Sequence, residues 1–243
     1  MRLTIRLERD NRLTTSDEDP FRSEYLGNTT FIDGDNPSVV EYTKAVVGDC
    51  QSDVEKARAL FYAVRDDIRY DPYRIDLKPE AMRASSALER RHGFCITKAL
   101  LLAATARLEG IPTRLGFADV KNHLNTDRLK ALMETDVFAF HGYTELFLNG
   151  KWVKATPAFN GSLCERFNVA PLEFDGEHDA MLQQANREGE HYMEYVHDHG
   201  LFADLPYDLL IATWNKYYPK LMAAGGYSVE GEFETDAEAD ATT

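Results

Sequence analysis

The sequence is poor in cysteine: Cys50, Cys95 and Cys164 are the three among 243 residues. Three scattered thiols cannot build a disulfide framework, so a reducing cytoplasm is the expected compartment. No apolar run is long enough to cross a bilayer. The first residues, Met1 to Leu7, alternate in polarity as a strand does and do not read as a signal peptide. Positive charge is also scarce, with 27 Lys and Arg against 41 Asp and Glu, for a net charge of −14. Nucleic acid and anionic membranes are poor partners for such a surface. No internal repeat and no low-complexity linker divides the chain. Gly48, Gly93 and Gly110 form no phosphate-binding pattern, so no nucleotide site is expected.

The negative charge is unevenly placed. Glu230, Glu232, Glu234, Asp236, Glu238 and Asp240 fall in the last sixteen residues, with no Lys or Arg among them. Subtracting those six from fourteen leaves eight net negative charges on the rest. Residues 228–243 therefore read as an acidic, disordered, solubilising tail. Residues 1–227 read as a single α+β domain, with a core at about 50–160 and a helical extension at about 177–222.

Several elements carry local signals. Residues 1–9 read as a strand. Residues 14–36 are rich in Asp, Asn, Thr and Gly and read as loop, with a short strand near Thr30–Ile32. Asn36-Pro37 opens a helix to about Val47, Asn36 capping it and Pro37 in its first turn. Ser52-Asp53-Val54-Glu55 is a capping box, and behind it Ala57, Leu60, Phe61, Val64 and Ile68 recur at helical spacing. Cys95 to Glu109 is apolar on nearly every side, which predicts a buried helix stopped by Gly110. Thr113 to Val120 reads as a strand, and Asp127 to Met133 as a short helix capped by Thr126. Phe138–Leu148 and Lys151–Thr156 flank Asn149-Gly150, a strong hairpin signal. A two-residue turn sets Leu148 opposite Lys151, and that register runs back along both strands. Residues 177–222 read as two helical segments broken near Gly200 and Pro206.

Within this frame Cys95 is the candidate nucleophile. A thiol reacts as its thiolate, and a helix N-terminus stabilises that form. Lys98, one turn on, is placed to add positive potential. Gly93 permits close backbone approach just before the thiol. His141 is the candidate base, on a strand face shared with Tyr143, Glu145 and Phe147. In the hairpin register Thr156 is its diagonal neighbour, and Asn160 flanks it if pairing continues past Pro157. Tyr70 and Tyr73 precede the cysteine segment and can wall a cleft, and His123 follows a neighbouring strand. Tyr70, Tyr73, Lys98, His123 and Tyr143 are thus the candidate substrate-side residues. Glu190, His191, Glu194, His197 and His199 cluster, but without the paired i, i+4 histidines of a metalloprotease helix, so no metal is expected.

Two segments resemble the transglutaminase-like superfamily. Gly93-Phe94-Cys95, the run Ala99 to Ala104 and Gly110-Ile111-Pro112-Thr113-Arg114 are similar to its cysteine segment. His141 to Leu148 with Gly150-Lys151-Trp152-Val153 is similar to its histidine segment. The resemblance implies a papain-like core, with Cys95 as nucleophile and His141 as general base. It implies no cofactor and a peptide, protein or small carboxamide as substrate. The family places an Asp shortly after the tryptophan-bearing strand, where this chain has Thr156.

That departure leaves three outcomes open. Thr156 or Asn160 orients His141, or an acid from elsewhere, such as Asp175 or Asp119, does so, or the site is inactive and the fold binds a partner. Hydrolysis is the expected reaction if the site works, with thioester acyl transfer a more distant alternative.

Overall fold

The computed structural model describes residues 21, 23–122, 125–181, 193–223, 227–228 and 231–240. The expected strand at residues 1–9 lies outside them. A single turn, α1 (Ser23–Leu26), precedes a loop in which Thr29 N–H bonds Ile32 O at 3.0 Å; this is a turn, where a short strand was expected. Helix α2 (Pro37–Val47) starts where Asn36 Oδ1 accepts from Ser38 N–H at 3.0 Å. Helix α3 (Asp53–Asp67) starts at the capping box: Ser52 Oγ accepts from Glu55 N–H at 3.2 Å, and Glu55 Oε2 accepts from Ser52 N–H at 3.1 Å. Short strands β1 (Arg69–Tyr70) and β2 (Arg74–Ile75) follow, then helix α4 (Ala84–Arg90) and strand β3 (His92–Gly93), which pairs in parallel with β1.

Helix α5 (Cys95–Leu108) is the centre of the molecule, with every residue from Cys95 to Arg107 buried. It packs against α2, α3, α4 and one face of the sheet. Ile96, Leu100, Leu101 and Leu102 are fully buried, each stabilising the fold by about 1.5–3 kcal/mol relative to exposure. The sheet is built from β4 (Thr113–Asn122), β5 (Val137–Leu148), β6 (Lys151–Ala155) and β7 (Met193–Phe202), with α6 (Asp127–Met133) between β4 and β5. Its order is β6-β5-β4-β7 and every pairing is antiparallel. Leu148 pairs with Lys151 and the register holds back to Thr144 with Ala155, as the Asn149-Gly150 turn predicts. The architecture is thus α+β, a cysteine-bearing helix packed on an antiparallel sheet.

Helix α7 (Gly161–Arg166) follows β6, and α8 (Tyr207–Tyr217), α9 (Pro219–Ala223), β8 (Tyr227–Ser228) and α10 (Phe233–Asp240) are the last elements among the described residues. Two expectations are corrected here. Of the segment read as helical at about 177–222, residues 193–202 form a sheet strand, because β4 offers them an open edge. The tail read as disordered contains α10, whose Phe233 is 3 % exposed and whose Ala237 is fully buried. Charges drawn from distant elements neutralise its acids, and a composition count does not see them. Among the described residues, no helix is long and apolar enough to cross a membrane.

Candidate active site around Cys95 and His141

Local chemistry delivers Cys95 to the first turn of α5. Phe94 N–H bonds Thr97 Oγ1 at 3.1 Å, which ends the extended segment and starts the helix. A Cβ on Gly93 would lie 2.6 Å from Thr97 Oγ1, so the entry turn needs glycine. A Cβ on Gly142 would lie 3.2 Å from Ile96 Cα, so glycine after His141 lets β5 approach the helix start. As a result Cys95 and His141 line the same cavity.

The other walls of that cavity are Tyr70, Pro72, Ile75, Phe94, Leu129, Met133, Phe138, Ala139, Trp214, Tyr218 and Leu221. No charged side chain is among them. Its volume is about 30 Å³, room for roughly two waters. Burial dominates the electrostatics. It pushes the Cys95 thiol up to about 11, against the backbone N–H groups of Gly142, Ile96 and Cys95 itself, which pull the other way. It pulls the His141 imidazole down to about 4. Near neutral pH the resting pair is therefore thiol and neutral imidazole. The helix N-terminus does not overcome the loss of solvent, contrary to the simple expectation from its position.

The candidates for orienting His141 are dispersed. Thr156 is 3 % exposed, and its Oγ1 and His141 Nε2 are both buried with no hydrogen bond to each other or to another group. Strand β6 ends at Ala155, and on its outer edge Thr156 N–H bonds Ala180 O at 2.9 Å. Asn160 is committed elsewhere. Its Oδ1 accepts from Tyr70 N–H at 2.9 Å, and its Nδ2 donates to Ser162 Oγ at 2.7 Å and Glu234 Oε1 at 2.9 Å. Asp175 pairs with exposed His178 at 2.7 Å. Asp119 is buried and accepts from Phe140 N–H, the residue before His141, at 2.9 Å.

Of the candidate substrate-side residues, Tyr70 lines the cavity. Tyr73 is fully buried behind it, its hydroxyl within hydrogen-bond distance of Thr126 Oγ1 at 2.7 Å and Asp236 Oδ2 at 2.8 Å. Lys98 points away: its Nζ donates to Arg65 O at 2.9 Å and Ile68 O at 2.6 Å, carbonyls at the C-terminal end of α3. Burial draws its ammonium down to about 7. Tyr143 lies over Gly116 and lines a separate cavity with Lys154, Asp179 and Tyr195. His123 is outside the described residues. His199, from the histidine-carboxylate cluster, bonds Asp119 at 2.6 Å, and among the described residues no three acids, histidines or cysteines are grouped to hold a metal. Sequence reasoning missed Trp214 and Tyr218, although Leu210, Trp214 and Tyr218 recur every four residues and mark one helix face.

The profile of the transglutaminase-like superfamily matches residues 40–157, which hold Cys95, His141 and Thr156. Residues 40–157 are thus similar to the core of that superfamily. Its fold is similar to that of a candidate cysteine protease from Cytophaga hutchinsonii, with 17 % identity over 60 % of this chain and 45 % of that one at a TM-score of 0.45. A candidate protease from Parabacteroides distasonis aligns with 14 % identity over 55 % of this chain and 26 % of that one, at a TM-score of 0.34. The chain spans less than half the length of either. No curated protein matches it.

Proposed function

We propose that the protein is a cysteine hydrolase, or an acyl transferase of the same chemistry, acting on a peptide or carboxamide carbonyl. The observation that carries this reading is the single cavity lined by Cys95 and His141. Because the resting pair is neutral, His141 acts as a general base during attack. It takes the thiol proton as sulfur bonds the carbonyl carbon, then gives it to the departing amine as the tetrahedral intermediate collapses. The backbone N–H groups near the sulfur are the available donors for the developing oxyanion. Water or an amine then resolves the acyl-enzyme.

The lining also indicates what the acyl side carries. A charged side chain entering a wall of Tyr70, Ile75, Leu129, Met133, Trp214 and Leu221 loses its hydration with no partner in return. On this reading the substrate residue beside the carbonyl is apolar.

A second reading, a binding module with an inactive site, is favoured by the unbonded Thr156 Oγ1 and His141 Nε2. Alkylation of Cys95 near pH 7 separates the two. General-base assistance by His141 makes wild type react about a hundredfold or more faster than His141→Ala. Equal rates in both proteins leave the binding module.

A further inference from the structure

We propose that His141 is positioned through its backbone, by side chains that grip residues 137–140, in place of an acid holding its ring. The proposal rests on reading His141 as the base.

Phe140 has φ of 64°, a left-handed conformation that a bulky aromatic residue rarely adopts. Such a conformation is strained and persists only where its surroundings over-determine it. The ladder between β4 and β5 breaks at this point: Ala118 pairs with His141, but Val120 pairs with Phe138. Two residues, Ala139 and Phe140, thus stand against Asp119 alone, which is a β-bulge. Strand β6 gives no help on the other side, because its pairing with β5 reaches no further than Thr144.

Side chains supply the missing partners. Tyr218 Oη donates to Val137 O at 2.8 Å and accepts from Ala139 N–H at 2.6 Å. Trp214 Nε1 donates to Ala139 O at 3.0 Å. Asp119 Oδ1 accepts from Phe140 N–H at 2.9 Å and is itself met by His199 Nε2 at 2.6 Å. The Phe140 ring stacks on Phe117 at 4.5 Å between centroids and lies 4.8 Å from the His199 ring. Together these four backbone hydrogen bonds offset the strain of the left-handed residue. Beyond His141 the strand is anchored again where Gly142 meets Ile96. The imidazole therefore hangs between two fixed backbone points. This explains how its ring can be placed although neither Thr156 nor Asn160 is hydrogen-bonded to it.

Asp119, Trp214 and Tyr218 are positioning residues in this scheme. The variants Tyr218→Phe, Asp119→Leu and Asp119→Asn test it, with two readouts: the pH profile of Cys95 alkylation and the ring resonances of His141. Tyr218→Phe keeps the aromatic ring and loses both backbone bonds. Tyr218→Phe and Asp119→Leu are expected to cut labelling near pH 7 by about tenfold or more, toward His141→Ala, and to move the His141 resonances. Asp119→Asn keeps an oxygen for Phe140 N–H and is expected to keep the wild-type profile. A folded Tyr218→Phe with wild-type labelling and unmoved resonances overturns the proposal. So does a folded Asp119→Asn that falls to the level of His141→Ala, since the carboxylate charge would then be what matters. If wild type and His141→Ala label alike, the hydrolase reading fails, and the resonances in Tyr218→Phe alone decide the positioning.

Discussion

Two helices stand behind the Cys95 cavity. Helix α5 is buried on every side and carries one ammonium, Lys98, that reaches no carboxylate but two carbonyls. Helix α10 is acidic and is tied down by charge. Arg69 and Arg74 meet Glu232 at 2.7 and 2.6 Å, Arg128 meets Asp236 at 3.2 Å, and Arg166 meets Glu234 at 3.6 Å and also Glu238. One apolar anchor, Phe233, packs its ring edge-on against Tyr70 and Tyr73. Tyr70 lines the cavity, so α10 supports one of its walls from outside. The difference teaches that the helix bearing Cys95 and the cavity wall around it answer to different conditions. Desolvation holds the first, which salt does not screen. Partly exposed ion pairs hold the second, and these salt does screen.

The comparison can be broken at its strongest point first. Leu101→Ala removes a fully buried side chain from α5 and is expected to cost about 3 kcal/mol of unfolding free energy. The loss should be the same at low and high salt when measured by denaturant titration. A salt-dependent loss would mean that α5 also leans on charge.

A smaller effect sharpens the same contrast by pH. Burial lowers Lys98 to about 7 from an ordinary 10.5, so the unfolded chain binds more protons across that range. Stability then rises with pH, by about 2 kcal/mol between roughly pH 7 and 9. Lys98→Met should flatten this rise. An unchanged slope in the variant would assign it to another group.

The smallest effect concerns α10. Raising salt from about 0.1 M to about 1 M shortens the screening length from ~10 Å to ~3 Å. Hydrogen exchange in α10 is expected to quicken about tenfold, while α5 amides stay protected. Equal protection of α10 at both salt concentrations would show that Phe233 holds the helix without its ion pairs.

These two helices also differ in how much could be read in advance. Helix α5 follows from its composition, since a segment with no polar face has nowhere to go but the core. The capping box at Ser52, the cap at Thr126 and the Asn149-Gly150 turn are equally local, and each lies where its residues predict. Strand β7 was not legible as a strand, because its polar, histidine-rich residues have no alternation and it is a strand only by pairing with β4. Helix α10 was hidden for a related reason. Its acids look repulsive until the arginines of four other segments are brought beside them. The bulge at Ala139 and Phe140 leaves no sequence signal, because neither residue favours a positive φ.

By itself, the sequence determined the helix that carries Cys95, the strand that carries His141, and the hairpin register beside it. Each rests on residues within a few positions of one another, where capping, turn chemistry and hydrophobic spacing act. Only the tertiary structure decided what those two residues meet. It turned Lys98 toward α3, gave Asn160 to Tyr70 and Glu234, left Thr156 Oγ1 and His141 Nε2 without a hydrogen bond to each other, and put Asp119, Trp214 and Tyr218 on the backbone before His141. The physical reason is that these contacts join residues far apart in the chain. A buried polar group takes whichever partner the packing brings to it, and no local pattern specifies that choice.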